Sequence, residues 1–381
     1  MSTSRVRARD LGLPLGGTPG PRNAITDVDA VTVGTVTHVF DDAAAGVAAR
    51  TGVTAILPLG RDGIGTAVPA GLVSLNGNGE MTGSHWIRET GGLASPVMLT
   101  NTHAVGTVHR GVIDWTAAHR PDLAAEWLLP VVAETWDGYL NSINAATIST
   151  ADAGIAIDTA SSTGALEGSH GGGTGMNCYG YKGGNGTSSR LVTFAGREYT
   201  VGVFLQANFG QRDELVIAGV PMGDLDAPCP IEQDDWIAAD RTGGSARAPV
   251  PGGSGSVIAI VATNAPLLPQ QCEALARRVP LGLARTGTTG SHFSGDLFLA
   301  FSTGNRGALT SGFPGGPEAL RSMEFVPWNA MDRLYRAVVE AVEESVVNAL
   351  VGNESMVGRD GHFSPRLPRE QVIERLRSAR Q

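Results

Sequence analysis

Residues 30–40 (AVTVGTVTHVF) alternate apolar and polar side chains, the period of a half-buried strand. VTAILPLG, GLVSLNGNG and PVMLTNT read as further strands, and LPVVAET is an apolar run ending in a turn. Between the first two runs, Asp41 and Asp42 read as N-caps of a helix over DDAAAGVAARTG that closes on Gly52. HWIRETGG and VGTVHRGVIDWTAAHRP predict helices ended by Gly and Pro. RLVTFAGREYTVGVFLQANFG holds two alternating runs joined at Gly196-Arg197, a hairpin. The last third predicts a buried strand (Val257 to Thr263), a helix (Pro269 to Ala284), a polar loop (Thr286 to Gly295) and a strand (Leu297 to Ser302). It closes on an amphipathic helix, MDRLYRAVVEAVEESVVNALV, with Leu334, Val338, Ala341 and Val342 on one face. The pattern is mixed α/β with mostly antiparallel sheet and no internal repeat.

Composition narrows the class. The 381 residues are 42% apolar and 17% charged, enough to bury a sizeable core. The net charge is −9, and the basic residues are dispersed, which argues against nucleic acid as a partner. No apolar run approaches the ~20 residues of a membrane span, and the N-terminus lacks a signal-peptide core. Cys178, Cys229 and Cys272 are far apart and odd in number, with no zinc spacing, so no metal is expected and a cytoplasmic setting is. Glycine is the anomaly: 52 residues, about twice the usual ~7% share, imply many tight loops or close backbone approaches.

The stretch APVPGGSGSVIAIVATNAPL raises the chemical question. A loop rich in Gly, Pro and Ser runs through Gly255-Ser256 straight into a fully apolar strand. Such a junction can be a bond to be cut. The Ser256 hydroxyl can attack the Gly255 carbonyl, and water can cleave the resulting ester. A residue without bulk before the serine favours the distorted backbone this needs. The product would carry Ser256 as a new N-terminus. Its α-amine has a reference pKa near ~7.7–8.0 and can serve as base to its own hydroxyl. Taken alone, GGSGS also reads as an ordinary flexible loop, and a cut at Gly253-Ser254 would move the nucleophile to Ser254.

Seven motifs in order settle on one family. They are GNGEMTG (77–83), LTNTHAVG (99–106), PVVAETWDGYLN (130–141), GGGTGMNCYGYKGGNGTSSR (171–190), QANFG (206–210), GS followed by VIAIVATNAPL (255–267), and SGDLFLAFST (294–303). Over nearly its whole length the chain resembles the DmpA/BapA-type peptidases, self-cleaving L-aminopeptidase/D-esterases and β-peptidyl aminopeptidases with an N-terminal serine. The resemblance implies a four-layer αββα sandwich like that of N-terminal nucleophile hydrolases. It also implies one peptidase domain cut into residues 1–255 and 256–381. By the same likeness Ser256 is the nucleophile, Ser294 and Asp296 are the relay, and Asn208 is an oxyanion donor. Glu134 would hold the substrate ammonium and Tyr139 would line the centre, with Trp136 as the alternative aromatic. No cofactor is implied. The expected partners are a small peptide, amide or ester substrate and further copies of the chain, as a tetramer of processed pairs.

Plainer roles stand beside these. Ser294 reads as a loop cap, Asp296 as an acceptor for local amides, and Asn208 as a turn residue. Glu134 reads as an exposed carboxylate at a strand end, and Asp137 before Gly138 as a turn residue. The glycine tract lacks the GK[ST] of a nucleotide cradle. No G-x-S-x-G elbow accompanies His170 or His292, and His292 reads as a loop histidine. Three functions follow: an aminopeptidase, amidase or esterase working through an acyl-enzyme on Ser256; an acyltransferase using the same acyl-enzyme; or a processed scaffold. The similar ornithine acetyltransferases self-cleave at Thr, so Ser256 disfavours that transfer activity.

Overall fold

In the computed structural model, which describes residues 6–228, 255–313 and 319–380, the alternating runs form two packed sheets. The principal elements in chain order are β1 (Thr32–Asp42), β2 (Val47–Leu57), β3 (Val68–Gly77), α1 (Ser84–Thr90), β4 (Gly92–Leu93), β5 (Val97–Asn101), α2 (Val105–His119) and α3 (Pro121–Ala125). They continue with β6 (Val131–Thr135), α4 (Thr150–Asp158), β7 (Gly184–Phe194), β8 (Arg197–Asn208), β9 (Gly255–Thr263), α5 (Pro269–Ala276), α6 (Val279–Ala284), β10 (Ser294–Ser302), α7 (Asp332–Val351) and α8 (Arg369–Ser378). One sheet has the order β1-β2-β5-β6 and the other β4-β3-β10-β9-β8-β7.

Three apolar layers separate four layers of structure. Val108, Val112 and Trp115 of α2, with Ala156 and Ile157 of α4, pack on Val53, Ala55, Met98 and Val132 of the smaller sheet. Val33, Ile56, Leu99 and Val131 on its other face meet Leu72, Phe204, Ile258, Leu299 and Phe301 of the larger sheet. The far face of the larger sheet is covered by Leu275, Leu283, Leu334, Val338 and Val346 from α5, α6 and α7. The result is the expected αββα sandwich. Each buried large side chain in these layers contributes on the order of 1.5–3 kcal/mol of transfer free energy.

The strand that follows Gly255 lies deep inside the larger sheet. Its partners are β8, antiparallel, and β10, parallel. It is buried on both faces: Val257, Ala259 and Val261 point to the helices, and Ile258, Ile260 and Ala262 to the other sheet. This is why its sequence shows no alternation.

Three expectations change. Residues 41–52 are not a helix. β2 pairs with β1 from Asp42↔Val47 to Thr32↔Leu57, and Ala48 to Leu57 are all buried in the sheet. Asp42 does cap, but Oδ1 accepts from Ala44 N at 3.0 Å and Ala45 N at 3.1 Å, closing a hairpin turn instead of opening a helix. The helix expected from Pro269 to Ala284 is two helices, broken at Arg277–Arg278; Pro280, near the start of α6, has no N–H to continue the first. The strand expected at Leu297 begins at Ser294, so Ser294 and Asp296 sit on β10 and not on a loop. Residues 229–254, which include Cys229 and Ser254, lie outside the described residues.

Candidate active site

Ser256 stands second in β9, opposite Asn208 of β8 and Gly295 of β10, and is 2% exposed. Its neighbour Gly255 is held in register with Ser294, and its N–H donates to the Phe293 carbonyl at 3.0 Å. A Cβ on Gly255 would lie 2.3 Å from the Asn208 carbonyl oxygen, so no larger residue fits without moving β8. The glycine before the serine is therefore a packing requirement.

Two N–H groups point at the Ser256 hydroxyl. The Trp136 backbone N–H reaches Oγ at 3.3 Å, and Asn208 Nδ2 reaches it at 3.4 Å. The Asn208 amide is fixed at both ends. Nδ2 also donates to the Trp136 carbonyl at 2.9 Å, and Oδ1 accepts from Asn177 N at 2.9 Å. That pattern leaves the NH₂ facing the serine. Asn208 ends β8 and does not form a turn. Trp136 follows directly on the end of β6, so both sheets meet at Ser256.

Ser294 and Asp296 form a separate unit on the neighbouring strand. Ser294 Oγ donates to Asp296 Oδ1 at 2.6 Å, and Asn76 Nδ2 donates to Oδ2 at 2.9 Å. The Val257 backbone N–H is a further donor, yet burial raises the Asp296 carboxyl above its usual range. Strand alternation sets Asp296 on the face of Phe298, toward the helices, while Ser256 shares the inter-sheet face with Ile258. Ser294, Asp296 and Val257 line a cavity of about 240 Å³ on that helix face, together with Leu281 and Ser291. The paired hydroxyl and carboxylate thus approach the Ser256 position along the sheet, through its main chain.

Glu134 is not the exposed strand-end carboxylate of the plainer reading; it is 3% exposed. Oε1 accepts from Glu80 N at 3.0 Å, and Thr102 Oγ1 donates to Oε2. Burial raises its carboxyl, and these two donors oppose the shift. It lies in β6, two residues before Trp136. The loop that caps it is brought in by paired glycines. A Cβ on Gly295 would sit 2.3 Å from the Asn78 carbonyl oxygen, and one on Gly79 would sit 3.0 Å from Gly295 Cα. GNG of the first motif and SGD of the last are thus in backbone contact. The arrangement offers a buried hydroxyl with two donors and, nearby, a desolvated carboxylate suited to an ammonium group.

Tyr139 is buried and its ring stacks on His362 at 4.7 Å, while its hydroxyl donates to the Phe363 carbonyl at 3.4 Å. Trp136 contacts Ser256 Oγ through its backbone N–H. Asp137 opens the turn as expected, its carbonyl accepting from Leu140 N at 3.1 Å, but it is fully buried and burial raises its carboxyl to about 7. The glycine tract 171–186 is buried throughout except at Asn177, and is no surface cradle. Among the described residues no three His, Cys, Asp or Glu side chains converge as a metal site. Sequence reasoning did not assign Asn76, Thr102 or Asn177. All three lie in or beside quoted motifs, but only the fold shows what their polar groups contact.

The geometry can be set beside known proteins. The model of Peptidase family S58 matches residues 23–364. The chain is 42% identical to the β-peptidyl aminopeptidase BapA of Sphingosinicella microcystinivorans over 376 residues, covering 97% of this chain and 92% of the relative. It is similar to the L-aminopeptidase D-Ala-esterase/amidase of Ochrobactrum anthropi, described as a variant of the Ntn hydrolase fold. The TM-score is 0.86 at 41% identity, over 98% of both chains. A Burkholderia sp. β-aminopeptidase superposes with a TM-score of 0.84 at 39% identity, over 98% of this chain and 99% of the other.

Proposed function

The chain belongs to peptidase family S58 and is a hydrolase of the aminopeptidase type, and from that premise we propose how its own residues do the work. Ser256 Oγ attacks the Gly255 carbonyl carbon, the Gly255–Ser256 C–N bond breaks, and the acyl group moves to oxygen. Water hydrolyses that ester, leaving a Gly255 carboxylate and a free Ser256 α-amine. In turnover this amine accepts the Oγ proton as Oγ attacks the carbonyl of a short peptide, amide or ester. The proton goes on to the leaving group, and a water molecule then releases the acid from Ser256. Asn208 Nδ2 and Trp136 N donate to the oxygen that becomes negative. Ser294 and Asp296 orient the α-amine, and Glu134 pairs with the substrate ammonium. Tyr139 acts from behind the site, through the Trp136–Asn141 segment.

The observation that carries this reading is the convergence of two N–H donors on the hydroxyl that directly follows a glycine with no room for a side chain. Intact-mass analysis and turnover of alanine p-nitroanilide test it together. Two chains and amine-dependent hydrolysis are expected; one uncut, active chain would overturn the nucleophile.

The reading includes a homo-oligomer of processed pairs in the cytoplasm. Trp86, Trp127, Leu129 and Phe313 are 44%, 78%, 50% and 54% exposed around one cavity, an apolar area of the kind that subunit contacts cover. Cys178 and Cys272 are buried free thiols, as suits a reducing compartment. No helix among the described residues is long and apolar enough to cross a membrane.

A further inference from the structure

A lysine lies fully buried behind the Asn208 amide. Lys182 is 0% exposed, and Nζ donates to the Met176 and Gly183 carbonyls, each at 2.8 Å. Among the described residues no carboxylate forms an ion pair with it; Asp137, itself fully buried, is the acidic group that acts on it from beyond contact. Burying an ammonium this way is costly, and burial lowers its pKa to about 7. An apolar side chain would fill the volume at lower cost, so its directed N–H groups set it apart.

Those donors hold one segment. The Met176 carbonyl also accepts from Gly183 N at 2.9 Å, and Thr135 Oγ1 donates to Met176 Sδ at 2.9 Å. The next residue is Asn177, whose N–H orients the Asn208 carboxamide oxygen. On the other side, Asp137 follows Trp136, which takes the Nδ2 hydrogen bond. A Cβ on Gly175 would lie 2.8 Å from Asp137 Cβ, so the two backbone segments that grip Asn208 rest against each other.

We propose that Lys182 is a positioning residue: by holding the Met176 carbonyl it fixes the Asn177 N–H, which turns the Asn208 amide toward Ser256. The inference rests on Asn208 being an oxyanion donor. Without Lys182 the 176–177 segment relaxes, and the Asn208 amide samples orientations that present its oxygen to the developing charge. The substrate still binds, because Glu134 lies on the other sheet and has its own donors.

The test is a double-mutant cycle on a free-amine substrate, with kcat expressed per self-cleaved chain measured by mass. Lys182→Met should lower kcat by roughly ten- to a hundred-fold, less than the outright loss of a donor, with KM within about two-fold. In an Asn208→Ala background the same substitution should cost less than about three-fold, because the group it positions is gone. Folded, processed Lys182→Met with near-normal kcat overturns the proposal, and so does an equal loss in both backgrounds. If Asn208→Ala alone leaves kcat intact, the oxyanion reading itself has failed and this inference falls with it. Should Lys182→Met not fold, Lys182→Met combined with Asp137→Asn removes both buried charges and is judged by the same criteria.

Discussion

Asn208 and Ser256 face each other across the antiparallel pair β8–β9, with the amide nitrogen 3.4 Å from the hydroxyl oxygen. The contact is set by strand register and not by a flexible loop, so the donor is in place before substrate arrives. Asn208→Ala should therefore lower kcat by about 10²–10³ with little change in KM. Asn208→Asp should lower it further, since a carboxylate repels the developing charge. Steady-state kinetics on alanine p-nitroanilide decide, and a kcat near wild type in Asn208→Ala would remove the role.

Self-cleavage should yield residues 1–255 and 256–381, and Ser256→Ala should fold and stay whole. Gly255→Ala adds a sharper expectation. Its Cβ would collide with the Asn208 carbonyl, so β8 must move and carry Asn208 away from Ser256. Mass spectrometry over a time course should show this variant maturing at least about tenfold more slowly than wild type, in keeping with the loss of an aligned donor. Wild-type maturation in Gly255→Ala would show that the close approach is irrelevant to the cut.

The local rules reached the strands that alternate and the helices with clear stops. α2, β5, β6 and the β7–β8 hairpin lie where the pattern puts them. They failed at residues 41–52, where Asp caps and alanines favour a helix but eleven ladder pairs with β1 decide for a strand. Tertiary pairing overrode propensity there. The candidate site was legible only as far as motifs carry side-chain identity. Ser256, Asn208, Glu134, Ser294 and Asp296 could be named from the sequence. That Asn177 contributes its main-chain N–H, or that Thr102 binds Glu134, depends on contacts 31 and 32 residues apart in the chain, which no local pattern encodes.

Glu134 should show opposite effects on activity and stability. Its carboxyl is raised by burial, so the folded protein holds this proton more tightly than the unfolded chain does. Stability from this group is full below the unfolded pKa of ~4.3 and declines as pH rises through the folded value. At neutral pH the charged form is a net cost to folding. Glu134→Gln should thus melt no lower than wild type at pH 7, yet lose roughly ten- to a hundred-fold in kcat/KM on free-amine substrates, the equivalent of one charge-assisted contact. It should still self-cleave, and N-acetylated substrates should be poor for wild type. The acid limb of kcat/KM should lie above the ordinary Glu range and flatten in the variant. A clear loss of melting temperature without loss of discrimination would assign Glu134 to structure.

Gly295→Ala should act on Glu134 from a distance. The new Cβ would press on the Asn78 carbonyl and push away the loop whose Glu80 N–H caps the carboxylate. KM for free-amine substrates should rise several-fold, about the worth of one hydrogen bond to a charged group, with a smaller change in turnover. A kcat loss at constant KM would place the strain at Ser256 instead.

The interior position of β9 has a consequence for how the molecule ages. A cut at Gly255–Ser256 severs the chain in front of a strand hydrogen-bonded on both edges, while the helices that cover it, α5 and α7, belong to the second piece. Before the cut, folding is unimolecular. After it, any complete unfolding releases two fragments, and recovery becomes a second-order encounter whose rate falls with dilution. The mature enzyme would then persist because it opens slowly, not because it refolds, and its lifetime would be a rate constant that a melting temperature does not report.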